Sequence, residues 1–222
     1  MSVSSPRKKI NIISCSFGEQ RSINPPVQQE TDLDVVITSY TEDNFPNREK
    51  SLSPRLKGKI PKMLGYLYVD ADYYIWLDSK FSIKSPYFVD WMVSNVGDSS
   101  ISLFNHYNRS SIESECIFVE SGILNGDNYL IERYQGEDMR GQVDKYLKDN
   151  HFTDDKLFAC GMFIYRKELI ENHPNFMKDW LLENVLFSIQ DQLSLPYMLH
   201  KHGVKFGVFK EHILNNNYIS YV

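Results

Sequence analysis

Cysteine is scarce: Cys15, Cys116 and Cys160 are the only three in 222 residues, and no two of them form a CxxC pair. That leaves little material for a disulfide framework or a thiolate zinc site, and points to a reducing, cytoplasmic setting. Long apolar runs are missing as well. None approaches the roughly 20 residues that span a bilayer, and no secretory apolar region follows the polar residues 1–9. A membrane-borne substrate would be met peripherally, at the surface. There is no basic excess either. Lys and Arg number 24 against 29 Asp and Glu, a net charge of −5, which excludes a general nucleic-acid binder. Internal repeats, low-complexity tracts and a GxxxxGK[ST] phosphate loop are all absent, so residues 1–222 read as one domain with a sizeable core.

Aromatic residues, in contrast, are plentiful at 14%, with 14 Tyr and 13 Phe. Their faces suit sugar rings, and equally suit a tyrosine-heavy core. Basic residues cluster at 7–9 and 55–62. On an acidic chain such patches fit a small anionic ligand better than a polyanion, or else a solvated surface.

Apolar runs rich in β-branched and aromatic residues predict strands at 10–14, 34–39, 73–77, 101–104, 158–165 and 204–209. Residues 19–32, with Pro25-Pro26, read as a loop. Ser53-Pro54 supplies an N-cap and a first-turn proline for a basic helix to about residue 64, and Ser85-Pro86 repeats that signature for a helix to residue 95. Ser110 and Glu113 have capping-box spacing for a helix toward Gly122. A polar stretch at 125–136 precedes helices to residue 148, at 175–187 and at 191–202. Strands alternating with helices predict an α/β fold, with a mostly parallel central sheet covered by helices on both faces. Ligands of such sheets gather at the carboxyl ends of strands.

Asp78 closes the clearest strand, so it is the first candidate. A carboxylate there can hold a cation or a ribose hydroxyl, or simply form a turn. An Asp-x-Asp pair at such a rim holds Mg2+ or Mn2+ against a diphosphate. Here the third position is Lys80, which breaks the pair and can meet phosphate directly. Asp191, in SIQDQLSLPY, is either half of a capping box with Ser188 or a carboxylate beside the substrate, as base or hydroxyl acceptor. His106 and Arg109 follow the strand at 101–104 onto the same rim, where Arg109 could clamp an anion. Gly161 permits close approach of a ligand, or marks a bulge. His200 and His202 diverge on a helix, which leaves His212 as the histidine that could complete a metal site with Asp78.

Together these elements resemble a family of glycosyltransferase-like domains, once filed as a domain of unknown function and associated in plants with mucilage and cell-wall polysaccharides. The resemblance rests on a basic helix, Tyr74-Ile75-Trp76-Leu77-Asp78, His106-x-x-Arg109 with Glu115, Gln142-x-x-x-Tyr146, Trp180-Leu181-x-Glu183, and Ser188-x-Gln190-Asp191-Gln192-Leu193-Ser194-Leu195. It runs in order from about residue 57 to 203. Gln190 stands where the pattern has Arg, and Leu181 where it has a second Trp. The resemblance implies a GT-A fold, a nucleotide-sugar donor and a glycan or other hydroxyl acceptor. It further implies that Asp78, His106, Arg109, Glu115, Asp191 and Gln192 line one site. Asp191 and Gln192 are then the candidate catalytic pair, Asp78, Lys80, His106, Arg109, Glu115 and Gly161 the substrate-binding set, and Mn2+ or Mg2+ an expected cofactor only if the broken Asp-x-Asp can hold it. Two rivals stand: a non-catalytic carbohydrate- or nucleotide-binding module, and a phosphoryl-transfer or hydrolytic enzyme built on Asp78. The transferase reading requires Asp78 and Asp191 to share a cleft.

Overall fold

The computed structural model describes residues 6–18, 26–46 and 52–221, so the first part of the expected 19–32 loop lies outside the described residues. In chain order the elements are β1 (Lys9–Cys15), β2 (Asp34–Tyr40), α1 (Pro54–Leu64), β3 (Tyr73–Leu77), β4 (Phe81–Ile83), α2 (Phe88–Val96), β5 (Ile101–Asn105) and α3 (Ile112–Leu124). These are followed by α4 (Asn128–Tyr134), α5 (Met139–Leu147), β6 (Phe158–Arg166), α6 (Lys167–Asn172), α7 (Phe176–Leu186), α8 (Asp191–Lys201), β7 (Phe206–Val208) and β8 (Ile219–Tyr221).

Six strands make the central sheet, in the order β2-β1-β3-β6-β5-β7. β1 pairs parallel with β2 and β3, and β5 parallel with β7, whereas β6 is antiparallel to both β3 and β5. Five strands therefore run one way and β6 runs against them. The sheet is mostly parallel, as expected; strand direction leaves no mark on an apolar run such as Phe158–Arg166. β4 and β8 form a separate two-stranded ladder.

Both faces of the sheet are covered. On one, Tyr74 and Trp76 of β3 pack with Met63 of α1, Trp180 of α7 and Met198 of α8. On the other, Ile75 and Leu77 pack with Phe88 and Met92 of α2. Burial on both sides is why β3 reads as an unbroken apolar run. The two-residue period of a strand then carries Asp78 to the Trp76 face, toward α1. A third cluster, including Ile112, Val119, Val143, Tyr146 and Leu193, ties α3 and α5 to α8.

Local chemistry explains where helices begin. Ser53 accepts a hydrogen bond from the Leu56 N–H at 3.2 Å, with Pro54 opening α1 as expected. α3 starts one residue later than the spacing suggested. Ser111 and Ser114 form its capping box, and Asp154 accepts from the Ile112 and Glu113 N–H groups. Ser85 instead accepts from the Tyr87 N–H in a turn, so α2 begins at Phe88. The polar stretch at 125–136, for which the sequence named no element, contains α4, capped by Asp127. Among the described residues no helix is long and apolar enough to cross a membrane.

Candidate functional site

The carboxyl ends of β1, β3 and β5 share one rim with the start of β6. Asp78 sits on it, just past β3. Its N–H donates to the Gly161 carbonyl at 2.8 Å, and its Oδ1 accepts from Trp76 Nε1–H at 2.7 Å. Gly161 lies where the β5–β6 register slips, between the Leu103–Phe163 and Phe104–Ala159 pairs. A Cβ there would stand 2.8 Å from the Phe81 ring, 3.3 Å from Asp78 Oδ2 and 3.4 Å from Lys80 Cε. The missing side chain is what lets Asp78 and Lys80 fold down over β6.

Facing Asp78 is one side of α1. Lys59 and Lys62 are three residues apart and so project from the same face. Lys62 Nζ is 2.6 Å from Asp191 Oδ2 and 3.8 Å from Asp78 Oδ1; Lys59 Nζ is 2.8 Å from Asp191 Oδ2; Lys80 Nζ is 3.5 Å from Asp78 Oδ2. One buried ammonium thus reaches both acidic residues, which stand 113 positions apart in sequence. The contacts to Asp191 Oδ2 are ionic rather than well-directed hydrogen bonds. Lys62 also lies over the Trp76 ring at 5.4 Å and the Phe163 ring at 5.9 Å. Lys59 and Lys62 both belong to the basic cluster at 55–62 that the sequence offers as a patch for a small anion or a solvated surface; neither is distinguishable within it from sequence.

Charge and burial compete throughout this cluster. Burial alone would raise the Asp191 pKa, but Lys59 and Lys62 outweigh it and hold it at about 2. For Lys62 burial works downward, and Asp191 and Asp78 together reverse it, so its pKa rises. Lys59 shares its partner with Lys62; there burial prevails over Asp191 and the pKa is lowered.

A second cluster joins the first through consecutive residues. Gln190 Nε2 donates to Glu115 Oε1 at 2.8 Å and to Gln192 Oε1 at 3.0 Å, and the Tyr134 hydroxyl donates to Gln190 Oε1 at 2.7 Å. Glu115 is ion-paired to Arg109, whose guanidinium lies 4.0 Å over the Phe118 ring. His106 follows β5. Its Nδ1 accepts from the Asn108 and Arg109 N–H groups, and its Nε2 lies 3.5 Å from Arg109 Nη2. Burial, opposed by Glu115 and aided by Arg109, lowers the His106 pKa; with Nδ1 accepting from two backbone N–H groups, a neutral ring carries its proton on Nε2, where it and Arg109 Nη2 are both donors. Arg109 is thereby committed to Glu115 rather than held open as an anion clamp. Gln190, where the family pattern has Arg, uses both ends of its amide to join Tyr134, Glu115 and Gln192.

The loop carrying Gln190 and Asp191 is held from beneath. Ser188 does not cap α8; its hydroxyl donates to Gln142 Oε1 at 2.7 Å. Gln142 Nε2 donates to the Tyr146 hydroxyl, which donates to Glu183 Oε2 at 2.6 Å, and Lys145 pairs with Glu183. Trp180 Nε1–H donates to the Asp191 carbonyl at 3.2 Å. The motif residues Gln142, Tyr146, Trp180, Glu183 and Ser188 therefore position the α7–α8 turn.

His212 is exposed, accepts from the Leu214 N–H, and faces Tyr107 at 5.7 Å; Tyr107 in turn stacks on His106 at 4.7 Å. It has no contact with Asp78. His200 and His202 pair with different acids, Asp149 and Asp179. Among the described residues no three His, Cys, Asp or Glu side chains gather as metal ligands. Mg2+ and Mn2+ require converging oxygens. Asp78 is instead ringed by the Trp76 N–H and two ammoniums, a donor set that does not fit such a cation.

The family model for the TOD1/MUCI70 glycosyltransferase-like domain matches residues 47–219, and the chain belongs to that family. Among solved structures it is similar to one described as the "crystal structure of a glycosyltransferase involved in the glycosylation of the major capsid of PBCV-1". That likeness has a TM-score of 0.46 and 11% identity, covering 92% of this chain and 82% of the other. No curated protein matches the sequence.

Proposed function

We propose that the protein is a glycosyltransferase that moves a sugar from a nucleotide-sugar donor to a hydroxyl of a glycan or related acceptor, in the building of a surface polysaccharide. The observation that carries this reading is the bridge from Asp78 through Lys62 to Asp191 at the strand ends, within a glycosyltransferase-like family. The donor lies across that rim, with Asp78 beside its ribose or sugar hydroxyls and Gly161 beneath Asp78 and Lys80, letting them sit low on β6. A carboxylate held near pKa 2 by two lysines is a poor proton acceptor at neutral pH. Asp191 therefore orients the donor and the lysines, and Gln192 contributes an amide to the same edge. Neutral His106, through Nε2–H, offers a donor hydrogen bond to a substrate oxygen, its ring oriented by the Asn108 and Arg109 backbone N–H groups at Nδ1.

A specific observation favours a second reading, a binding module without turnover: both acidic residues of the cluster are already neutralised by lysines. A thermal-shift panel of nucleoside diphosphates and their sugars, followed by assay of donor consumption, decides. A ligand at 100 times its Kd adds about 2.7 kcal/mol of stability. Donor stabilisation with slow hydrolysis supports transfer; stabilisation with the donor left intact over days supports the module. No shift with any sugar nucleotide removes both.

A further inference from the structure

Asp78 stands two residues before the position where a metal-dependent site would need a second carboxylate, and the chain supplies Lys80 there instead. Lys59, Lys62 and Lys80 are strung on Asp191 and Asp78 in an unbroken series of contacts at 2.8, 2.6, 3.8 and 3.5 Å. With all three lysines protonated, three ammoniums against two carboxylates leave one net positive charge in a largely buried cluster. Such a charge is unfavourable unless an anion completes it.

Exposure assigns different tasks to the three lysines. The Lys62 side chain is 5% exposed, sealed between the carboxylates and the Trp76 and Phe163 rings, and serves as the internal keystone. Lys59 is 15% exposed and Lys80 is 37% exposed, so these two are the ends that can meet a ligand. Each is only partly satisfied. Lys59 shares Asp191 with Lys62, and Lys80 lies at 3.5 Å from Asp78, longer than a good charge-assisted bond of about 2.8 Å. An ammonium turns its three donors freely and accepts a tetrahedral phosphate without demanding one geometry. Lys80 packs close over the bare Gly161 backbone, its Cε 3.4 Å from where a Cβ would stand, beside the Phe81 ring.

We infer that Lys59, Lys62 and Lys80, held in register by Asp78 and Asp191, form a cradle that binds the diphosphate of the donor without a divalent cation. The inference rests on the nucleotide-sugar reading and names how that ligand is held. Lys80 and Lys59 contact the phosphate oxygens, and Lys62 supplies charge from behind. The leaving nucleoside diphosphate is stabilised by fixed ammoniums rather than by a recruited ion.

The test is calorimetric titration of inorganic pyrophosphate, and of UDP, GDP, ADP and CDP in turn, into the full chain in EDTA and again with Mn2+. Pyrophosphate and at least one nucleotide should bind in EDTA. Their affinity should fall at least tenfold in K80Q and in K59Q, and steeply with added salt. K80Q is the cleaner variant because Lys80 is the most exposed of the three; its urea midpoint should match the parent's. Nucleotide binding that appears only with Mn2+ overturns the cradle while leaving a sugar-nucleotide enzyme standing. Unchanged pyrophosphate affinity in both variants overturns it as well. Absence of binding under either condition removes the cradle and the donor site together.

Discussion

Lys62→Met isolates the contact on which the site depends. Methionine keeps much of the stem packed over Trp76 and Phe163 and deletes only the charge. Removing one partner of a buried ion pair costs roughly 3–5 kcal/mol, because the other charge is left stranded. Asp191 retains Lys59 at 2.8 Å and Asp78 retains Lys80 at 3.5 Å, which places the expected loss at the lower end, about 3 kcal/mol. Against a total stability of about 5–15 kcal/mol, that is a large fraction. With a urea slope of about 2 kcal/mol/M, the midpoint falls by roughly 1.5 M at pH 7. The pH dependence is the sharper signature. The Asp191 pKa, about 2 in the parent, must rise when one of its two ammoniums is lost. The gap between variant and parent should therefore be widest near neutrality and shrink toward pH 3, as the stranded carboxyl takes up a proton. A loss under 1 kcal/mol, or one that is constant with pH, would refute the bridging role.

Asp191→Asn should leave the chain folded and cut donor turnover by roughly 10²-fold or more, and the parent should show no acid limb between pH 4 and 7 that the variant lacks; a limb lost in the variant would instead mark a catalytic base. Gly161→Ala introduces a Cβ 2.8 Å from Phe81 and should cost about 1–3 kcal/mol by overpacking, with a further loss of nucleotide affinity as Lys80 and Asp78 are displaced; chemical denaturation and titration together read both effects. Glu183→Ala strands the buried Tyr146 hydroxyl and loosens the turn before Asp191, an expected loss of about 1–3 kcal/mol by urea unfolding. Acid should weaken the fold in two stages. His106, whose pKa is lowered in the native state, is protonated more readily in the unfolded chain, so its contribution is complete above about pH 6.5 and lost as pH falls below that value. Asp191 contributes about 2 kcal/mol that is present above pH 4 and lost toward pH 2. Urea midpoints of the parent and of His106→Gln, measured from pH 3 to 8, separate the two.

The legible parts of the chain were those where local chemistry decides the structure. Tyr73–Leu77 ends at Asp78 because a doubly buried strand must stop where a charge reaches the rim. Ser53-Pro54 starts α1 because hydroxyl and ring satisfy its first turn. Helix α4 escaped because residues 128–134 bury only Leu130, so no apolar stripe announces them. The serine pairs at 85, 110 and 188 offered plausible caps, but the chain used Ser85 and Ser188 for other hydrogen bonds and moved the third cap to Ser111. In the site, Asp78 and Asp191 were recognised as a pair only through the ordered family motifs; nothing local in either segment refers to the other. The lysines that join them were visible only as part of the basic cluster at 55–62, with nothing to pair them with either acid. Lys59 and Lys62 look like an ordinary solvated face until α7 and α8 close over α1.

The most direct test of the whole account is a crystal structure of the chain soaked, in EDTA, with whichever nucleoside diphosphate stabilises it most. Density for the diphosphate about 3 Å from Lys59 and Lys80, beside the Asp78–Lys62–Asp191 bridge, is the predicted result. A nucleotide seated away from that rim, with the bridge untouched, would contradict it.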